Sequence, residues 1–417
     1  MSTETPTGSG TRRRTVRDIA LVAFGKYGQY LVTLITLPLT ARILGPSGLG
    51  LLAVGMSSFF IGSLLGDLGI TTYVAARVHD PGLDRLRGAY LKLRTMILLG
   101  TLAVLLIVLL LQPPEQALMI ALGLFGGALS SFGDDWVLVG HSRFGLIFLY
   151  QGIGRVVYLG LLVALLPRFP DPTVALLCLI VSTLVPVGLS WWRTIRSYGP
   201  PRRGARGQLG GLCRLAGPVL SARMLENSYE QGVATVFSHS VPSHALGIFS
   251  GSDRVIQAVS SSLDAIGYAL LPRLAKRGSR DMWSGVKTSL LAITVLSVGA
   301  AVVLAVTAQW TVPLIFGHRF DESIPLMRLQ AFILPGTAVA SFITTAVLPV
   351  LSDSRAALKG SILGTVIILV TLAITTWWTG SVWTIVWGVL IAETTVAVWH
   401  LVRLPRVRRR HQAEVAG

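Results

Sequence analysis

The sequence predicts an all-α integral membrane protein with about twelve transmembrane helices, arranged as two parallel six-helix lobes around a central cavity. Three observations predict it. Of 417 residues, 52% are hydrophobic and only 13% charged, where a soluble domain carries about 25% charged residues. Apolar windows recur along the whole chain, each long enough to cross a hydrocarbon core about 30 Å thick. Finally, 28 of the 36 basic residues fall in every second connection, against three (Arg42, Arg168, Arg319) in the alternate ones. That asymmetry places both termini in the cytoplasm, and an even number of spans agrees with it.

Taken in order, the chain opens with a cytoplasmic basic tail, residues 1–18. Arg12, Arg13 and Arg14 before an apolar run imitate a secretory signal, but no small-residue cleavage site follows, so the first helix reads as uncleaved. An N-terminal lobe, 19–192, then holds spans at 19–40, 49–75, 90–111, 115–139, 144–166 and 172–192. The Gly-, Pro- and Arg-rich stretch RTIRSYGPPRRGARGQLGG contains the cytoplasmic basic linker, 193–211. A C-terminal lobe, 212–402, holds spans at 212–238, 243–271, 284–309, 322–349, 356–378 and 381–402, and a basic tail, 403–417, closes the chain. Pro38, Pro186, Pro218 and Pro335 fall inside spans, which tolerate them when neighbours satisfy the freed backbone groups. Gly62 and Gly66 give the small-residue spacing that permits close helix packing.

A formal net charge of +17 in a soluble protein would suggest nucleic acid. Here its placement in the cytoplasmic connections points instead to anionic membrane lipids. Cys178 and Cys213 lie in or beside spans and make no disulfide framework. The phosphate loop, the zinc-protease helix and the nucleophile elbow are all missing from the sequence. The outward connection around WTVPLIFGHRFDES is too short for a soluble catalytic domain, so no enzyme is expected.

A weak parallel repeat relates the halves. LGLLAVG from Leu49 resembles LGIFSGS from Leu246, each shortly after a Pro-Ser pair. Counting the same distance on from Gly50 and Gly247 reaches Asp67 and Asp264. Counting back pairs Lys26 with Arg223.

Charged residues inside spans are costly, about 2.5 to 3.5 kcal/mol each on insertion scales. Lys26, Arg155, Arg223 and Arg254 are the basic residues well inside spans. At about 100° per residue, Arg223, Glu226 and Glu230 share one helical stripe. Asp253, Gln257 and Asp264 make a second on the next helix, with Ser260 and Ser261 beside it. Two polar stripes on consecutive helices argue for a hydrated interior or for an interhelix ion-pair cluster. Asp134 and Asp135 read as structural or headgroup-level groups, and His239 and His244 as interface residues rather than a metal site. Trp191, Trp192, Trp377, Trp378 and Trp383 cluster at span ends as interface belts.

LPLTARILGPSGLGLLAVGMSSFFIGSLLGDLGITTYVAAR resembles the first two helices of bacterial polysaccharide flippases of the Wzx type. Those belong to the superfamily (MOP) that also holds the lipid II flippases and the MATE exporters. WVLVGHSRFGL, HALGIFSGSDRV with LPRLAK, and IFGHRFDESIPLMRLQAF extend the resemblance through both halves. It implies alternating access across the bacterial cytoplasmic membrane, with an undecaprenyl-pyrophosphate-linked oligosaccharide as cargo for surface polysaccharide assembly. Polysaccharide polymerase and glycosyltransferases are the implied partners, and nucleic acid is not. No cofactor is implied, and the drive is H⁺, Na⁺ or membrane potential. Lipid II flippases carry two further helices that this sequence lacks, which argues against lipid II as cargo. Substrate binding falls to Lys26, Arg223, Asp253 and Arg254, the basic groups holding the pyrophosphate. Relatives place a coupling cation against the seventh and last helices of the C-terminal lobe, which here offer Glu226, Asn227, Glu230, Glu393 and Thr394. An ion-coupled exporter of small molecules, a membrane glycosyltransferase or polymer ligase, and a non-transporting scaffold are the alternative readings.

Overall fold

Gly45 divides the first helical stretch in two. Its φ of 67° is open to glycine and strained for other residues, so α1 (Gly8–Asp67) is broken there rather than straight. The computed structural model describes residues 8–78, 83–111, 114–201, 210–214, 216–217, 220–221, 223–225, 231–275, 279–348 and 354–416. Within those, side chains are described apart from 8–31, 33–34, 72, 76, 83, 264–282, 354–357, 406–407 and 409–416. All regular structure among the described residues is helical.

Two compact units divide the chain. The first comprises Met1–Ile43 and Ser58–Leu220; the second comprises Leu44–Ser57 and Ser221–Gly417. In unit 1, the parts of α1 outside Leu44–Ser57 are followed by α2 (Thr71–Ala76), α3 (Leu83–Leu111), α4 (Glu115–Ser130), α5 (Asp135–Gly140), α6 (Phe144–Leu165) and α7 (Pro172–Tyr198). The second and fourth expected spans are therefore each a long helix followed by a short one. The chain turns at Leu68–Gly69 in the first case and at Ser131–Asp134 in the second. Asp171 starts α7 by accepting a hydrogen bond from the Thr173 amide, with Pro172 at the first helical position.

Unit 2 contains α8 (Val233–Val236), α9 (Ser243–Ala275), α10 (Ser279–Phe316), α11 (Ser323–Gln330), α12 (Ile333–Phe342), α13 (Ser354–Ile374) and α14 (Val382–Ala416). The helix expected over 322–349 is interrupted between α11 and α12 for a reason visible in the sequence. Pro335 has no N–H for the Ala331 carbonyl, which accepts from the Leu334 amide instead, at 3.2 Å. A π-helical turn, Ile343–Val347, continues α12.

Eight helical stretches among the described residues are long and apolar enough to cross a membrane, and the shorter α4 is apolar as well. Wide apolar faces of α3, α10 and α13 lie exposed, among them Leu110, Leu111, Leu291, Val295, Val306 and Val370. Faces of that kind belong in lipid. The chain is a multi-pass membrane protein. Only pieces of the expected seventh span, 212–238, are described.

Glycine lets helices meet backbone to backbone in both units. In unit 1 a Cβ on Gly62 would overlap the Leu124 carbonyl oxygen, and one on Gly127 the Phe59 carbonyl oxygen. In unit 2 a Cβ on Gly50 would overlap the Ser243 carbonyl oxygen, and one on Gly247 the Pro46 carbonyl oxygen. This second pair joins the two glycines aligned by the sequence repeat. The contact is reciprocal, each glycine meeting the carbonyl one helical turn before the other, as a local two-fold relation requires.

Candidate transport site

The polar stripe of α9 lines a cavity of about 180 Å³ inside unit 2. Asp253, Gln257, Ser260 and Ser261 face it from α9, Thr337 and Ser341 from α12, and Glu393 from α14, with Gln231 before α8. Ile256, Ile333 and Val389 supply its apolar wall. Gln257 Nε2 donates to Asp253 Oδ2 at 2.7 Å. Ser261 and Thr337 donate their hydroxyl hydrogens to backbone carbonyls one turn back, Gln257 O and Ile333 O. Glu393 is held in place by tight packing, since α12 passes it at Gly336, where a Cβ would lie 3.1 Å from the Glu393 carbonyl carbon. Glu393 is 6% exposed.

Gln231 is fixed by its neighbours in the same unit. Ser57 Oγ donates to its carbonyl at 2.6 Å, and Thr235 Oγ1 donates to Val54 O at 3.1 Å. Seven residues before Thr337, at the end of α11, Gln330 is wholly buried, with neither amide atom hydrogen-bonded among the described residues. Such a group costs about 1 to 3 kcal/mol unless something satisfies it.

The residues expected to act together are distributed unevenly. Asp253 and Glu393 share the cavity, while Thr394 is exposed and does not line it. Arg254, adjacent to Asp253 but about 100° round the helix, is not a lining residue; its Nη2 lies 2.9 Å from Met56 Sδ. Arg223 is exposed on a helical piece. Glu226, Asn227 and Glu230 lie outside the described residues, as do the side chains of Lys26 and Asp264. Thr337, Ser341 and Gln231 were not singled out from the sequence. Their signal was there in part: Thr337 and Ser341 stand four apart, on one face of α12.

Unit 1 holds a different polar assembly. Three helix ends converge on one face of α3, where Arg87, Tyr90 and Arg94 stand at helical spacing. Tyr90 Oη donates to Asp67 O at 2.7 Å, Arg94 Nη1 to Gly133 O at 2.6 Å, and Arg87 Nη1 to Gly199 O at 2.9 Å. These carbonyls close α1, α4 with its following turn, and α7. Donors with positive charge suit the negative ends of helix dipoles. Arg87 Nη2 also pairs with Asp134 Oδ2 at 2.7 Å, and Arg94 Nη2 lies 3.6 Å from Asp67 Oδ1, which accepts from Thr71 Oγ1 as well. Ser190 Oγ accepts from the Asp134 amide, and Trp191 Nε1 donates to Phe132 O.

This assembly refines three expectations. Asp134 is structural, as expected. Asp67, expected only as the repeat partner of Asp264, ends α1, with its carbonyl accepting from Tyr90 and its carboxylate from Thr71. Arg87 and Arg94 do not face headgroups, as was expected of them; they are 1% and 4% exposed because three helix ends and two carboxylates need them. Trp191 likewise serves a backbone carbonyl rather than an interface belt, whereas Trp377 and Trp378 are widely exposed. Among the described residues no group of His, Cys, Asp and Glu is placed to hold a metal ion.

The family model described as "Polysaccharide biosynthesis protein" matches residues 15–277. The chain belongs to the polysaccharide biosynthesis protein family. No curated protein matches the sequence. Among solved structures, the chain is similar to the lipid II flippase MurJ in an inward closed conformation. That match has a TM-score of 0.71 and 11% identity, covering 93% of this chain and 87% of that one. It is also similar to an inward-facing multidrug resistance MATE transporter of the MOP superfamily, with a TM-score of 0.69 and 15% identity over 91% of this chain and 96% of the other. A eukaryotic MATE transporter, AtDTX14, matches at a TM-score of 0.55 and 14% identity, with 96% and 99% covered. At these identities the likeness establishes the fold: this member of the polysaccharide biosynthesis family has the architecture of MOP superfamily transporters.

Proposed function

We propose that the protein is a flippase, moving a polyprenyl-pyrophosphate-linked oligosaccharide from the inner to the outer leaflet of a bacterial cytoplasmic membrane for surface polysaccharide assembly. The observation that carries this reading is the polar cavity of unit 2, set among membrane-crossing helices of a chain from the polysaccharide biosynthesis family. Carboxylates, amides and hydroxyls gathered on membrane-crossing helices are costly in lipid and are retained where a polar solute must pass. Lys26, Arg223 and Arg254 are assigned to the pyrophosphate, whose charge needs fixed cations in a medium of low dielectric. Transport is driven by H⁺ or Na⁺ rather than by nucleotide hydrolysis. Glu230 on the seventh helix exchanges the ion, Glu226 pairs with Arg223, and Glu393 completes the acidic surroundings. Both termini lie in the cytoplasm, and the polymerase and glycosyltransferases of the same polymer work alongside.

A second reading, an ion-coupled exporter of small molecules, draws on the likeness to the MATE fold. Competition in proteoliposomes separates the two. With the purified protein, unlabelled lipid-linked oligosaccharide should block movement of its fluorescent analogue, and a lipophilic cationic dye should not. Concentrative uptake of the dye with no effect of the lipid would favour the exporter.

A further inference from the structure

We infer that unit 1 carries an oxyanion subsite of its own on α6, where Arg155, with Gln151 one turn before it, takes a phosphoryl oxygen of the lipid-linked cargo. The inference rests on the flippase reading and adds to it a contact beyond the three cations assigned above. Depth supplies the first argument. α6 is 22 residues long, and at 1.5 Å per residue Arg155 stands about 15 Å from either end. An arginine near a helix end carries its charge out to the headgroups; one at this depth cannot.

Orientation supplies the second. Leu149, Ile153, Val156 and Val163 form the exposed apolar face of α6, and Tyr150, Gly154, Tyr158 and Leu162 the buried one. At about 100° per residue, Arg155 lies roughly 115° from the middle of the exposed face and about 80° from the middle of the buried one. The guanidinium therefore belongs to a flank, neither the lipid face nor the helix contact. Gln151 is on the same flank, about 40° away. There it meets a small polar pocket, lined also by Ser130, Asp135 and Ser190, with room for about one water.

Hydrogen bonding supplies the third. Among the described residues neither Arg155 nor Gln151 makes a side-chain hydrogen bond or ion pair, and Arg155 has only the electrostatic influence of Tyr158 beside it. Arginine stays ionised, and an ionised group at mid-membrane is costly unless something answers it. Its planar fork of N–H groups and the adjacent amide make the flank rich in donors. The ligand that suits them is a negatively charged acceptor, and phosphate takes such a fork through two oxygens at once. Asp135, the carboxylate of the neighbouring pocket, interacts with Arg94, and Arg155 lies a further 6 Å or so beyond Gln151 along the axis.

The test uses the full chain in phosphatidylcholine nanodiscs, with farnesyl pyrophosphate as the titrated probe and farnesol, which lacks the phosphates, as its control. Arg155→Gln should weaken farnesyl pyrophosphate by roughly thirtyfold or more, as loss of one partner of a charged hydrogen-bonded pair does. Arg155→Lys, which keeps the charge without the fork, should fall between, and farnesol should bind all three proteins alike. Arg155→Leu should leave the thermal midpoint unchanged or raised, because no ion-pair partner in the protein is stranded; a lowered midpoint would make the arginine structural and overturn the subsite. Phosphatidylglycerol added to the nanodiscs should not displace the probe, and displacement would hand the site to a resident lipid headgroup in place of the cargo. No binding of farnesyl pyrophosphate, or equal affinity with Arg155→Gln, in protein that still flips the lipid-linked oligosaccharide would overturn the subsite and leave the flippase reading standing. Arg155-dependent binding in protein that moves no lipid-linked oligosaccharide would do the reverse.

Discussion

Arg87 illustrates what a fully buried guanidinium requires. Asp134, the Gly199 carbonyl and, at 3.9 Å, Asp84 surround it, and removing it would strand a buried carboxylate and an uncapped helix end. Breaking a buried pair from one side costs about 3 to 5 kcal/mol. Arg87→Ala should therefore lower the thermal midpoint of the detergent-solubilised protein markedly, as read by fluorescence-detected size exclusion after heating, while Arg85→Ala, at an exposed position, should leave it unchanged. Glu393 tests a different role. Glu393→Gln keeps its volume and removes its charge, so ion-driven transport should lose its dependence on the pH or Na⁺ gradient while folding is retained; an unchanged gradient dependence would take Glu393 out of the coupling proposal. At this scale the sequence was only partly legible. Asp253 was found because charge in an apolar run stands out and its partners recur at helical spacing. Arg87 and Arg94 were grouped with their exposed neighbours because nothing in a local run reveals that three distant helix ends converge on it. Thr394 was grouped with Glu393 because adjacency in sequence hides a turn of about 100° around a helix.

Among the elements, the helix interruptions carry most of the information. Gly45 and Pro335 announce two of them through known backbone chemistry. The breaks at Leu68 and Ser131 carry turn residues too, in GDLG and SSFGDD, but apolar windows run across both, and an arginine and a tyrosine of α3 take the freed carbonyls. The glycines at helix crossings were legible as a spacing at Gly62 and Gly66 and as a repeat at Gly50 and Gly247, but not as contacts. Their packing makes a sharp prediction. Gly127→Leu and Gly247→Leu should each abolish monodisperse protein, since the new side chain would have to displace a neighbouring helix backbone. Gly100→Leu, at a position with nothing within 4 Å, should express and elute as the unaltered protein does. Equal behaviour of all three would show that the crossings tolerate separation.

For the whole molecule, fold class was legible because a bilayer imposes a coarse pattern, apolar windows and a charge bias, that survives without any single diagnostic residue. The orientation proposed from that bias has its own test. With the native cysteines removed, a cysteine at Gly204 should be protected from an impermeant maleimide in intact cells and one at His239 should be labelled. Labelling at Gly204 would invert the topology. The proposed cargo was not legible in the same way, since a lipid-linked sugar would be recognised by a scattered set of polar groups from several helices rather than by a motif. The most direct measurement is therefore of movement itself. Purified protein is reconstituted with a fluorescent polyprenyl-pyrophosphate-linked oligosaccharide confined to one leaflet, and an impermeant quencher reports its appearance in the other. The account predicts a rate that depends on the protein, responds to an imposed H⁺ or Na⁺ gradient, and falls to the protein-free level when Lys26 and Arg254 are both replaced by Gln. A rate equal to that of empty liposomes, or one untouched by that double replacement, would contradict it.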